Sequence, residues 1–203
     1  MSHKGKLIVF EGIDGVGKST QCKLLEEYLR NRNHTVRQLK EPSDGQYGRE
    51  IRKLASQGQR LDPEKEYQLF ILDRKENVKN NILPSLTRGE MIILDRYYFS
   101  TIAYQGALGL SETRVREENE SFAPRPDIVI ILELPVDEAL KRVTQSRGTK
   151  ADSFETRDYL IRVKSIFDSF KDNNIIRVDA SQSSQEVARE IMDQLSKRVL
   201  SNL

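Results

Sequence analysis

The chain has 203 residues, 37% hydrophobic and 32% charged, enough to bury a sizeable core in a soluble α/β domain. Lys and Arg number 33 against 31 Asp and Glu, and the net charge of +2 argues against a bulk electrostatic nucleic-acid binder while leaving local basic clusters open. A single cysteine, Cys22, excludes an intrachain disulfide and fits a cytoplasmic location, and no apolar stretch of about 20 residues marks a membrane span or a secretion signal. The apolar run at 7–11 predicts a first buried strand, and 18–31 predicts a helix with Leu24, Leu25, Tyr28 and Leu29 as its stripe. Cys22 falls on the same spacing and reads as core. A second strand is expected at 35–39, ended by Glu41-Pro42, and a helix at 46–57. Asp62-Pro63 opens a long helix, with Asp as the cap and Pro in the first turn, running to about residue 86 with a break near Pro84. Further strands are expected at 91–94, 128–132 and 175–178, and helices at 136–146, 154–171 and 183–200. The two histidines, His3 and His34, fall in an expected tail and loop and form no metal pair. Five short apolar strands alternating with helices imply a parallel sheet covered on both faces, a three-layer α/β sandwich in one domain spanning 1–203. Ligands of such sheets sit beyond the carboxyl ends of the strands.

Gly12-Ile13-Asp14-Gly15-Val16-Gly17-Lys18-Ser19 matches G-x-x-x-x-G-K-[ST] between the first strand and first helix. Glycines let a loop turn its N–H groups around a polyphosphate, and the helix start adds positive potential. Lys18 can then reach the outer phosphates, and the Ser19 hydroxyl can ligate Mg²⁺. The strand at 91–94 runs into Asp95 and Arg96. Asp95 fits a metal-side carboxylate or a turn cap, and the adjoining guanidinium weights it toward phosphate chemistry. A GTP-dependent switch is disfavoured, because no Asn-Lys-x-Asp follows a later strand; the strand at 128–132 runs into Glu133-Leu134-Pro135.

The stretch from Phe10 to Gln21 resembles the opening of thymidylate (dTMP) kinases, as do Glu41-Pro42, Leu69-Phe70-Ile71-Leu72-Asp73-Arg74 and Asp95-Arg96-Tyr97-Tyr98-Phe99-Ser100. Ala103-Tyr104-Gln105-Gly106 and Pro124-Arg125-Pro126-Asp127 complete the set, in order and over nearly the whole chain. The resemblance implies a P-loop nucleotide-kinase fold, transfer of the ATP γ-phosphoryl group to dTMP, Mg²⁺ as cofactor and a homodimer. It implies ATP binding by residues 12–20, Gly12, Ile13, Asp14, Gly15, Val16, Gly17, Lys18, Ser19 and Thr20, with Ser19 and Asp95 at the metal. For the acceptor it implies Phe70 stacked on thymine, Arg74 at its O4 edge, Ser100 and Gln105 approaching the base, and Tyr104 under the deoxyribose. Asp14 would meet the sugar 3′-hydroxyl, Arg96 would clamp the acceptor phosphate, and Arg52 is a second candidate clamp. From the residues alone, Phe70 fits a core position, and Arg74 and Arg52 fit surface charges.

The polar segment at about 146–155 resembles the mobile lid of this kinase superfamily. Members carry a catalytic arginine in the phosphate loop or in the lid; here Gly15 follows Asp14, so the expectation falls on Arg147, with Lys150 as the weaker candidate. Lys18, Asp95, Arg96 and Arg147 are thus the expected catalytic set. Two departures stand out. Ser153 occupies a position where many members have arginine, with Arg142 or Arg157 as possible replacements. Ser43-Asp44-Gly45 follows Glu41-Pro42 where many have Gly-Gly-Thr. Another pyrimidine monophosphate kinase and a non-catalytic nucleotide-binding regulator are the alternative functions. Neither nucleic acid nor membrane is an expected partner.

Overall fold

The computed structural model describes residues 5–58, 61–147 and 157–198. Among them, five strands form one parallel sheet: β1 (Lys6–Glu11), β2 (Val36–Lys40), β3 (Met91–Asp95), β4 (Ile128–Glu133) and β5 (Ile175–Asp179), in the order β2-β3-β1-β4-β5. The three central strands are runs of Ile, Val and Leu, buried on both faces, as a sheet covered by helices on each side requires. Register aligns Phe10 with Asp95 on one side and with Ile130 on the other. The carboxyl ends of β1 and β3 therefore lie side by side, and the loops that leave them meet.

Helix α1 (Lys18–Arg30) turns Cys22, Leu25 and Leu29 into the core, each at most 1% exposed. Helices α2 (Gln46–Ser56) and α3 (Pro63–Asn77) follow. The Asp62 side chain accepts from the Glu64 N–H at 3.0 Å, the cap the sequence predicts. The long helix expected to about residue 86 is interrupted earlier. A π-helical turn occupies Val78–Ile82 before α4 (Leu83–Thr87). Pro84 has no N–H to give and its ring crowds the carbonyl four residues back, so the helix widens just ahead of it.

After β3 come α5 (Tyr98–Gly106) and α6 (Glu112–Glu120). Helix α6 has no counterpart among the sequence-based expectations, because eight of its nine residues are polar and its apolar stripe shrinks to Val115. Its start is marked by the Ser111 hydroxyl, which accepts from the Arg114 N–H at 3.3 Å. Helices α7 (Val136–Arg147), α8 (Arg157–Ser169) and α9 (Ser184–Arg198) complete the described chain, and none of its helices is long and apolar enough to cross a membrane.

Candidate active site

The turn from β1 into α1 is set by glycines. Gly12 and Gly15 hold φ of 128° and 85°, where a side chain is strained. Space is closed as well: a Cβ on Gly15 would lie 2.3 Å from the Ala139 carbonyl oxygen of α7, and one on Gly12 2.6 Å from that of Leu132. Lys18 folds back over this loop, its Nζ donating to the carbonyls of Gly12 (3.0 Å) and Ile13 (2.9 Å) and lying 3.7 Å from Asp14 Oδ1. Burial lowers its pKa, and nearby Arg96 lowers it further. The Ser19 hydroxyl donates to Asp95 Oδ2 at 2.6 Å, bringing the two expected metal-side oxygens together from α1 and β3.

Arg96 leaves β3 in the left-handed region, φ 69°, which costs a non-glycine residue roughly 1–2 kcal/mol. Its N–H donates to the Phe10 carbonyl at 2.9 Å, pinning it beside β1. The guanidinium thereby reaches back over the loop. It donates to Ser100 Oγ (2.9 Å), to Tyr104 Oη (3.2 Å) and to Asp14 Oδ1, and it lies 5.0 Å from the centre of the Tyr104 ring. Beneath it Glu11 is fully buried. Glu11 accepts from the backbone N–H groups of Tyr97 (2.8 Å) and Ser100 (3.2 Å) and from the Ser100 hydroxyl (2.5 Å). Burial pushes its pKa up to about 7 against the opposing pull of Ser100 and Arg96. Ser100 is therefore a bridge, passing the Glu11 carboxylate on to the Arg96 guanidinium.

A cavity opens on each side of Arg96. The first is lined by Lys18, Ser19, Thr20, Asp95 and the cations Arg52 and Arg142. The second is lined by Phe70, Arg74, Thr101, Tyr104 and Gln105. Asp14, Glu41, Pro42 and Arg96 line both, so the two spaces meet at the Asp14–Arg96 pair. In the second cavity Arg74 is 1% exposed and firmly held: Nε donates to Glu41 Oε2 (2.8 Å), Nη1 to Asn119 Oδ1 (2.5 Å) and Nη2 to Thr101 Oγ1 (3.0 Å). Asn77 gives the other Glu41 oxygen a donor at 3.1 Å, yet burial still raises the Glu41 pKa against the attraction of Arg74.

A glycine loop of the phosphate-binding pattern and a second cavity meeting across an arginine suit a kinase with a nucleotide acceptor, and comparison with known proteins narrows it. A family model described as "Thymidylate kinase" matches residues 10–191. The chain is 41% identical over 196 residues to a thymidylate kinase of Desulfotalea psychrophila, covering 97% of this chain and 96% of that one. It is 46% identical to a thymidylate kinase of Akkermansia muciniphila (96% and 93% covered) and 40% identical to one of Brachyspira hyodysenteriae (96% and 95% covered). The chain belongs to the thymidylate kinase family.

The family's expected residues come together in this fold from distant parts of the chain. Of residues 12–20, Asp14, Gly15, Gly17, Lys18, Ser19 and Thr20 line the first cavity with Asp95 and Arg96, whereas Gly12, Ile13 and Val16 do not, Ile13 and Val16 being buried in the core; Phe70, Arg74, Ser100, Tyr104 and Gln105 line the second. Phe70 is half-buried and stands outside the core cluster, so its ring is left to the cavity. Arg74, which the residues alone allowed as a surface charge, is buried. Arg52 is neither a solvated charge nor a free clamp: it donates to the carbonyls of Pro42 and Ser43 (both 2.7 Å) and pairs with Asp44 at 3.0 Å. The departing segment Ser43-Asp44-Gly45 is tied to α3 through Asp73, which accepts from the Ser43 N–H (2.8 Å) and hydroxyl (2.5 Å). Of the two replacements considered for the arginine absent at Ser153, Arg142 lines the first cavity, whereas Arg157 is engaged at the surface by Asp137 (2.7 and 3.1 Å). The Arg147 side chain, Lys150 and the rest of the expected lid lie outside the described residues. The sequence-based expectations missed the supports: Glu11, Glu41, Thr101 and Asn119. Glu41-Pro42 was the one local signal among them, and its target, Arg74, is 33 positions away.

Proposed function

We propose that this protein is a dTMP kinase, transferring the γ-phosphoryl group of ATP to dTMP to give dTDP, in one kinase domain spanning 1–203 with a lid at about 146–155. The observation that carries the reading is the meeting of the two cavities at Asp14 and Arg96. A triphosphate gripped by residues 12–20 and an acceptor phosphate gripped by Arg96 would confront each other there. Positioning and charge neutralisation would supply most of the catalysis, because a phosphate monoester oxygen is already ionised near neutral pH. Lys18 then exchanges its loop carbonyls for phosphate oxygens. Arg147 would bring a further cation with the lid.

The donor set Ser19 hydroxyl and Asp95 carboxylate, 2.6 Å apart, fits Mg²⁺, a hard ion that takes oxygen ligands and keeps substrate phosphates and waters in its shell. Bound there, it would neutralise charge on the transferring phosphoryl group. On the acceptor side, Phe70 is suited to stack on the base, Arg74 and Gln105 to read its edge, Tyr104 to pack under the sugar and Asp14 to accept from the 3′-hydroxyl. Arg52 would assist Arg96 at the phosphate. The reading carries a cytoplasmic homodimer. The family resemblance supports the pairing, and sedimentation measures it.

The test is ADP release with ATP and each of dTMP, dUMP, dCMP, UMP and thymidine. Turnover strongest with dTMP is the expected result. Turnover with thymidine but not dTMP, or with no acceptor at all, refutes the assignment.

A further inference from the structure

Gln105 is 2% exposed and lies on α5 one turn beyond Thr101, in the wall of the acceptor-side cavity. Its Nε2 donates to Glu66 Oε2 at 2.9 Å, while its Oε1 is buried without a hydrogen-bond partner. A side-chain amide can be turned over, exchanging donor for acceptor. Glu66 removes that freedom: an ionised carboxylate only accepts, so the amide atom facing it must be the nitrogen. The oxygen is then what Gln105 has left to offer a ligand, and a buried amide oxygen is unfavourable until some donor meets it. Across the same cavity Arg74 presents only N–H groups, fixed in direction by Glu41, Asn119 and Thr101. The wall thus offers a donor from Arg74 and an acceptor from Gln105.

A pyrimidine with O4 and N3–H presents the complementary acceptor and donor. Cytosine presents the reverse, an amino group where the wall offers N–H and a bare N3 where it offers oxygen. We propose that Glu66 is a positioning residue for base choice: by holding the Gln105 amide in one orientation it makes the site accept O4/N3–H pyrimidines and refuse cytosine. This rests on reading the cavity as the acceptor-base pocket. Glu66 sits in the first turn of α3, four positions before Phe70, so base stacking and edge reading are set from one helix.

The test compares dUMP with dCMP, which differ only along this edge, at saturating ATP. In the wild type dCMP should bind at least about tenfold more weakly than dUMP, as sites that hydrogen-bond a substrate reject analogues that leave their polar groups unpaired. Glu66→Gln lets the Gln105 amide turn over. The dUMP-over-dCMP ratio of kcat/KM should then fall at least about tenfold, with dCMP rising as dUMP falls and the KM for ATP unchanged. Glu66→Asp keeps the carboxylate at shorter reach and should retain more of the preference; it also serves if Glu66→Gln does not fold. An unchanged ratio in Glu66→Gln, an equal loss for both nucleotides, or equal binding of the two by the wild type overturns the proposal. A wild type that turns over dTMP but fails these arms refutes the role of Glu66 alone; one that turns over neither dTMP nor dUMP refutes the kinase assignment with it.

Discussion

Replacing Glu11 by Gln should flatten the dependence of stability on pH. Burial raises this carboxyl from 4.5 to about 7, so between those values the native state holds a proton that the unfolded chain has released. Stability then falls as pH rises: the contribution is fully present below about pH 4.5 and is lost by the time pH passes about 7. A gap of about 2.5 pKa units corresponds to about 3 kcal/mol, of which about 2 kcal/mol falls between about pH 5.5 and pH 8. Glutamine does not titrate, so in urea unfolding at those two pH values the difference between variant and wild type should shift by that amount in favour of the variant at the higher pH. Groups elsewhere cancel in this difference. The side chain is fully buried, so solvent screening does not erode the effect. Activity should move the other way. A glutamine oxygen can still accept from Tyr97 and Ser100 N–H, but its NH₂ would face a Ser100 hydroxyl that already accepts from Arg96. The kcat/KM for dTMP should therefore drop by about tenfold as the guanidinium loosens. Parallel stability curves for the two proteins across this pH range would refute the account of Glu11.

Arg96→Ala should lower kcat/KM for dTMP by about 10²–10³ while changing the ATP dissociation constant far less, and equal losses in both would place Arg96 outside the acceptor clamp. Glu41→Gln leaves Arg74 buried with its ion pair broken and should destabilise the fold by about 3–5 kcal/mol in urea unfolding; a loss below about 1 kcal/mol would mean Asn119 and Thr101 suffice. Arg147→Ala should reduce kcat much more than affinity for either nucleotide, and an unchanged kcat removes it from the catalytic set.

What the sequence made legible was local. The strands at β1, β3 and β4 stand out because burial on both faces demands continuous apolar runs, and the phosphate loop because its glycines and Lys18 are contiguous. Asp95 and Arg96 could be read for the same reason, as a charged pair at the end of such a run. The supports of the site could not. Arg74 is fixed by Glu41, Asn119 and Thr101, at separations of 33, 45 and 27 positions, and no periodicity links them. Asn119 was doubly hidden, because α6 carries too small an apolar stripe to announce itself. Glu11 looked like the polar end of a strand, and only the register of β1 with β3 shows that the chain after Asp95 closes over it.

The same register explains why unfavourable terms gather at one point. A left-handed Arg96 and a buried Glu11 each work against folding, and they are adjacent through Ser100. What they do is aim a cation at the junction of the two cavities before any ligand arrives. The groups a nucleotide would contact are already partnered by the protein: Lys18 with loop carbonyls, Ser19 with Asp95, Arg52 with the carbonyls of Pro42 and Ser43. On the proposed reading, an incoming phosphate would exchange one set of acceptors for another rather than strip hydrated cations, leaving little reorganisation for the transition state. On that same reading, the left-handed Arg96 and the satisfied Lys18 are two halves of one arrangement: the first would fix where the phosphates meet, and the second would keep the cation in place until they do.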